Sequence, residues 1–173
     1  MTSRIYTVAN RLRRKYHTSD PFELLDALHV VVKYSDKYGP TGLKGFTTVW
    51  NQTVYVVINS FLSEEEMRVV AAHELGHVVL HRPLVYAARA FQDGDIYFVT
   101  GKAEREANFL AADFLLSDED VLEEMQEKNS DFFVTASALN IPAPFFAFKL
   151  YSMVERGFSM SVPVDLDSDF LAD

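Results

Sequence analysis

His73, Glu74 and His77 have the clearest chemical capacity in the chain, inside the run Ala72-His73-Glu74-Leu75-Gly76-His77-Val78-Val79-Leu80-His81. On a helix, positions four apart differ by about 40° around the axis at ~3.6 residues per turn, so both imidazoles leave one face, one turn apart. Two ligands of a single Zn²⁺ need that arrangement. Glu74 lies about 100° further round, beside a metal rather than on it. From there its carboxylate can take a proton from a water that the metal activates, which is the chemistry of hydrolysis. The rival reading is the polar face of a surface helix, and the apolar residues on both sides of the motif weigh against it.

Two histidines leave a catalytic zinc site short of a third protein ligand. Three side chains downstream are candidates. His81 is one turn further along the same face, about 6 Å on at ~1.5 Å per residue, which is far for direct ligation from a straight helix. It reads instead as a residue that supports the site or touches substrate. Glu104 and Glu106 are the carboxylates on the next strongly helical segment. Asn108 follows Glu104 by one turn on the same face and can hydrogen-bond a ligand. Small Ala107, Ala111 and Ala112 let that segment lie close against the motif helix, where Gly76 offers a matching gap. Glu106 points elsewhere and reads as a surface charge. The donor for a developing oxyanion is Tyr86, Tyr97 or His81, and spacing does not choose among them.

The elements that must position these groups follow from local pattern. Ile5, Val8, Ala9, Leu12 and Tyr16 recur at helical spacing beside Arg11, Arg13, Arg14 and Lys15, a basic face that is solvated or meets an acidic partner. Asp20-Pro21 opens a short helix through Leu28. Val30–Tyr34, Leu43–Trp50 and Val54–Ile58 read as strands, the last two joined through Asn51-Gln52-Thr53 as a hairpin with a turn slightly longer than two residues. Ser63 and Glu66 form a capping box for a helix from about Glu64 to Leu80, ended by Arg82-Pro83. Tyr86 through Phe91 is a short helix or a loop over the site, and Gln92-Asp93-Gly94-Asp95 a turn. Helical spacing resumes from Lys102 to Leu116. Ser117 caps an acidic helix to about Lys128, Phe132–Leu139 follows, and after a break at Ile141-Pro142 an apolar helix runs from Phe145 to Arg156, stopped by Gly157.

With 173 residues the chain can bury a core without staples, and the absence of cysteine excludes disulfides and Cys₄-type zinc sites. No signal-peptide core or membrane-length apolar run is present, which points to a cytoplasmic protein that does not enter a membrane. A net charge of −9 argues against nucleic-acid binding over the whole surface. The helices on either side of Ile141-Pro142 have the outline of a DNA-binding pair but lack a basic recognition helix, since Lys149 and Arg156 stand nearly alone. Core packing through Phe145, Phe146, Phe148, Leu150 and Tyr151 accounts for them better.

Glu104-Arg105-Glu106-Ala107-Asn108 resembles the E-x-x-A-[DN] element of gluzincins, in which the first Glu completes the metal site. Taken with His73-Glu74-Leu75-Gly76-His77, Leu80-His81, Phe109 and Leu115-Leu116, the chain resembles the ImmA/IrrE family of zinc metallopeptidases. Asp20-Pro21-Phe22-Glu23, Lys44-Gly45-Phe46 and Tyr55-Val56-Val57-Ile58-Asn59 are similar to that family's lead-in, so the likeness spans about residues 20–117. It departs at Leu115-Leu116-Ser117-Asp118, where family members often read Leu-Leu-Met-Pro. The resemblance implies a bacterial or phage-borne peptidase that cleaves a helix-turn-helix repressor. In it His73, His77 and Glu104 bind Zn²⁺ and Glu74 is the general base. Mn²⁺ or another divalent ion is also compatible with mixed His/Glu ligation. A metal-binding adaptor that holds the repressor without cutting it is the alternative. The implied fold is α+β, a single zincin-like domain over residues 1–157. Within it a small, mostly antiparallel three-stranded sheet packs on the HExxH helix and a Glu-bearing helix (catalytic core 20–117), with a helical extension (118–157) and a mobile acidic tail (158–173). In zincins the strand beside the metal helix accepts substrate, a role that falls here to Thr48–Trp50 or Tyr55–Ile58.

Overall fold

The computed structural model describes residues 1–88, 101–127 and 131–163. Its elements are α1 (Thr2–Tyr16), α2 (Pro21–Ala27), β1 (Val31–Ser35), β2 (Gly45–Trp50), β3 (Thr53–Asn59) and α3 (Glu64–Leu80). They continue with α4 (Arg82–Ala88), α5 (Gly101–Leu115), α6 (Asp118–Glu127), α7 (Phe132–Ala138) and α8 (Ala143–Glu155). Local chemistry sets many of these boundaries. Asp20 accepts the backbone N–H groups of Phe22 and Glu23 at the start of α2, with Pro21 in the first helical position. At α3 both halves of the capping box are made: Ser63 Oγ accepts from Glu66 N at 3.2 Å and Glu66 Oε2 accepts from Ser63 N at 2.9 Å. Ser117 Oγ accepts from Asp120 N at 2.9 Å and opens α6.

The sheet runs β1-β3-β2, with β2–β3 antiparallel and β1–β3 parallel. It is therefore mixed, where a mostly antiparallel sheet is expected from the sequence. The physical reason is the path of residues 36–44, which carry β2 past the place where the returning β3 then inserts. Asn59 pins that path, donating from Nδ2 to the carbonyls of Gly39 at 2.7 Å and Leu43 at 3.1 Å. The β2–β3 turn is also shorter than expected: Trp50 pairs with Thr53, leaving only Asn51 and Gln52, both at positive φ (48° and 65°). A two-residue turn of that kind matches the strand twist.

The layers explain how the motif is buried. The sheet lies on one side of α3 and α5 on the other, and α1 and α8 pack on α5. Enclosed in this way, α3 is buried at every position from Val69 to His77. The polar surface-helix reading of the motif does not survive that burial, because His73, Glu74 and His77 are each less than a tenth exposed. Gly76 is what lets α5 come so close. A Cβ there would stand 2.8 Å from Ala107 Cα and 3.0 Å from its carbonyl oxygen.

Arg82-Pro83 ends α3 but also begins α4, which covers part of the segment whose conformation the sequence left open. The turn at Gln92–Asp95, Tyr97, and the tail from residue 164 lie outside the described residues. Between 158 and 163 the chain stays on the molecule, with Phe158, Met160 and Val162 packed against the core. No single described helix is long and apolar enough to cross a membrane.

Candidate metal centre

α3 and α5 bring three ligand atoms to one point. His73 Nε2 and His77 Nε2 are 3.0 Å apart. Glu104 Oε2 is 3.1 Å from the first and Glu104 Oε1 is 3.3 Å from the second. Ligands about 2.0–2.1 Å from a zinc ion at tetrahedral angles stand ~3.3 Å from one another. The triangle fits a small four-coordinate cation, and its donors, two imidazoles and one carboxylate, are those of a catalytic zinc site with one open position.

The surroundings orient His73 and hold the charge of Glu104. Asn108, one turn after Glu104, places Oδ1 2.7 Å from His73 Nδ1. An amide oxygen only accepts, so His73 carries its hydrogen on Nδ1 and turns the Nε2 lone pair toward the ligand point. Burial pushes the His73 pKa down, but its hydrogen bond to Glu104, the charges of Glu74 and Glu104, and Asn108 outweigh it and leave the pKa raised. Burial likewise pushes Glu104 up, and the hydrogen bonds and charges of His73 and His77 more than reverse this. The carboxylate is held well below its ordinary range and stays ionised.

Glu74 turns away from the ligand point toward the sheet. Its Oε2 accepts a hydrogen bond from Thr47 Oγ1 on β2 at 2.7 Å. β2 approaches this closely because residue 45 is glycine: a Cβ there would stand 2.5 Å from Val70 Cγ1 and 3.7 Å from Glu74 Oε1. Sequence reasoning missed Thr47, since nothing local in β2 shows which residue faces a helix packed on the sheet.

His81 caps the C-terminus of α3 and meets His77, Nδ1 to Nδ1 at 3.2 Å, while its Nε2 stands 3.0 Å from Glu106 Oε2. Glu106 is therefore not the surface charge expected. It is about a quarter exposed and faces the histidine cluster, with Lys102 at 4.0 Å on its other oxygen. Burial and the neighbouring His77 lower the His81 pKa against the opposing pull of Glu106. Tyr86 lies exposed on α4 with the Arg82 guanidinium over its ring, and among the described residues no hydrogen bond joins it to the cluster.

The sheet also narrows where a peptide strand can be added. β3 has both edges occupied, so Tyr55–Ile58 is excluded, whereas the outer edge of β2 is unpaired among the described residues. Trp50 closes the two-residue turn and the Lys44 carbonyl accepts from Asn59 N, so residues 44, 46, 48 and 50 point their backbone groups at β3. By alternation, Gly45, Thr47 and Val49 point theirs outward.

The helix pair near Ile141-Pro142 offers no basic face. Lys149 is fully buried between Asp113 at 3.0 Å and Asp118 at 2.7 Å, and Arg156 is taken by Asp118 at 2.6 Å.

Comparison with known proteins finds kinship over most of the chain. Over 129 residues the chain is 35% identical to the uncharacterized immunity region protein 2 of Bacillus phage phi105, covering 74% of this chain and 76% of that one. The model of the IrrE N-terminal-like domain, Peptidase_M78, matches residues 27–151, a span that holds every side chain of the centre. By fold, by donor set and by this match, the chain belongs to the Peptidase_M78 family of metallopeptidases.

Proposed function

We propose that this protein is a zinc-dependent endopeptidase whose substrate is a helix-turn-helix repressor. The observation that carries the reading is the ligand triangle of His73, His77 and Glu104, with sides of 3.0–3.3 Å, beside a buried carboxylate that is not itself a ligand. A divalent ion held there supplies Lewis acidity to the scissile carbonyl and to the attacking water. Zn²⁺ suits the donor set, and Mn²⁺ fits it too. Glu74 takes a proton from the attacking water and returns it to the leaving amine. Thr47 holds the Glu74 carboxylate on the β2 side, and the outward backbone groups of Gly45, Thr47 and Val49 pair with an extended substrate segment. One residue thus holds the base through its side chain and docks the peptide through its backbone.

The repressor as substrate rests on kinship with an immunity region protein and on the family's peptidase character. The test is incubation of the zinc-loaded protein with the repressor encoded beside it, read by mass spectrometry of the products. Cleavage at one peptide bond by wild type, absent with Glu74→Gln, is the expected result. A repressor that binds and stays intact with wild type would mark a metal-binding adaptor instead.

A further inference from the structure

The contacts of His81 and Glu106 run in one direction. With Nε2 of His77 committed to the ligand point, 3.3 Å from Glu104 Oε1, its single hydrogen is on Nδ1. That hydrogen points at His81 Nδ1, 3.2 Å away, which must then be the lone-pair nitrogen. The His81 hydrogen is left on Nε2, and Glu106 Oε2 is there to accept it at 3.0 Å. Each neutral imidazole has one donor and one acceptor, so the carboxylate at the outer end settles the tautomer of both rings.

We propose that Glu106 and His81 are positioning residues that orient His77 and raise its basicity toward the metal, through a carboxylate–histidine–histidine chain. This inference rests on the metal-centre reading. His73 receives the same service in one step, from Asn108. The two histidine ligands are thereby both supported from α5, His73 by Asn108 directly and His77 by Glu106 through His81. A carboxylate partner behind a ligating imidazole strengthens its donation to the ion, and loss of such a partner characteristically lowers metal affinity ~10–100-fold.

The test is zinc affinity by competition with a chromogenic chelator, on wild type, Glu106→Gln, His81→Phe and the double variant. The expected result is a loss of about tenfold for Glu106→Gln in the wild-type background and no further loss when it is added to His81→Phe. Unchanged affinity in Glu106→Gln, or an equal loss in both backgrounds, overturns the chain, the second outcome marking a general effect of charge. Nitrogen-15 spectra of the zinc-loaded wild type give an independent reading that needs no variant to fold. His77 is expected to be protonated on Nδ1 and His81 on Nε2, and the opposite tautomer at His81 overturns the proposal. Wild type that binds no zinc removes the metal centre itself, a failure distinct from these.

Discussion

At the scale of single residues, the centre separates groups that hold an ion from groups that act beside it. His73, His77 and Glu104 converge within 3.3 Å, while Glu74 is held by Thr47 on another side. Glu74→Gln is expected to keep its metal and to lose cleavage by ~10²–10⁴-fold, measured as kcat/KM on the cleaved repressor. Thr47→Val removes one hydrogen bond to a carboxylate at nearly constant shape. We expect cleavage about tenfold slower with zinc content unchanged, and recovery in Thr47→Ser, which keeps the hydroxyl. The motif itself was legible from spacing, because four residues along a helix return to one face. Thr47 and Glu106 were not. The first is joined to its partner by a sheet packing on a helix. The second lies about 200° from Glu104 on its own helix, and its match with His81 depends on how two helices lie across each other.

At the scale of elements, α3 was legible nearly to the residue because its ends carry strong local signals, Ser63 with Glu66 at the start and Arg82-Pro83 at the finish. The turn between β2 and β3 was less so. Gln52 adopts a left-handed conformation that its side chain does not advertise. The parallel pairing of β1 with β3 was not legible at all, since it is decided by where a nine-residue connection lands. The contact between α3 and α5 was read correctly from small residues, and it yields a prediction. In Gly76→Ala the new methyl meets backbone atoms of Ala107, which cannot move aside as a side chain does. A gain of about 1 kcal/mol in helix propensity is set against about 1–3 kcal/mol of overpacking. We expect a lower melting temperature. We also expect zinc affinity to fall, because α5 carries Glu104 away from the two histidines. Unchanged affinity in a folded Gly76→Ala protein would show that the ligand triangle does not depend on this approach.

At the scale of the whole molecule, the helices behind α5 are tied by a buried network that the sequence hid. Lys149 and Arg156 stand nearly alone as cations in this part of the sequence, and they sit against Asp113 and Asp118, which come from α5 and the first turn of α6. Asp118 occupies the place where the chain departs from the family's usual Leu-Leu-Met-Pro, and here it joins α6 to α8. Burial pushes Asp118 up, but hydrogen bonds from Arg156 and Lys149 prevail and hold it well below the usual carboxylate range. A depressed carboxylate contributes stability that is present above its unfolded value of about 3.9 and is lost as pH falls toward the folded one. Asp113 works the other way, its pKa raised by burial against the pull of Lys149 and Ser152, so a variant is needed to isolate Asp118. Asp118→Asn is expected to cost about 3 kcal/mol at neutral pH and to flatten the loss of stability in acid, measured by urea unfolding from pH 7 to pH 3. The same network settles the character of α8. Its four largest buried apolar side chains, Phe145, Phe146, Phe148 and Leu150, and its lysine face inward, so it is a core helix and presents no basic surface.

The most direct measurement on the central claim is metal content per chain in wild type, Glu74→Gln and Glu104→Ala, purified side by side. We expect about one zinc per chain in the first two and almost none in the third, because Glu104 closes the ligand triangle and Glu74 stands outside it. Wild type without metal, or Glu104→Ala with its metal intact, would contradict the assignment of this centre.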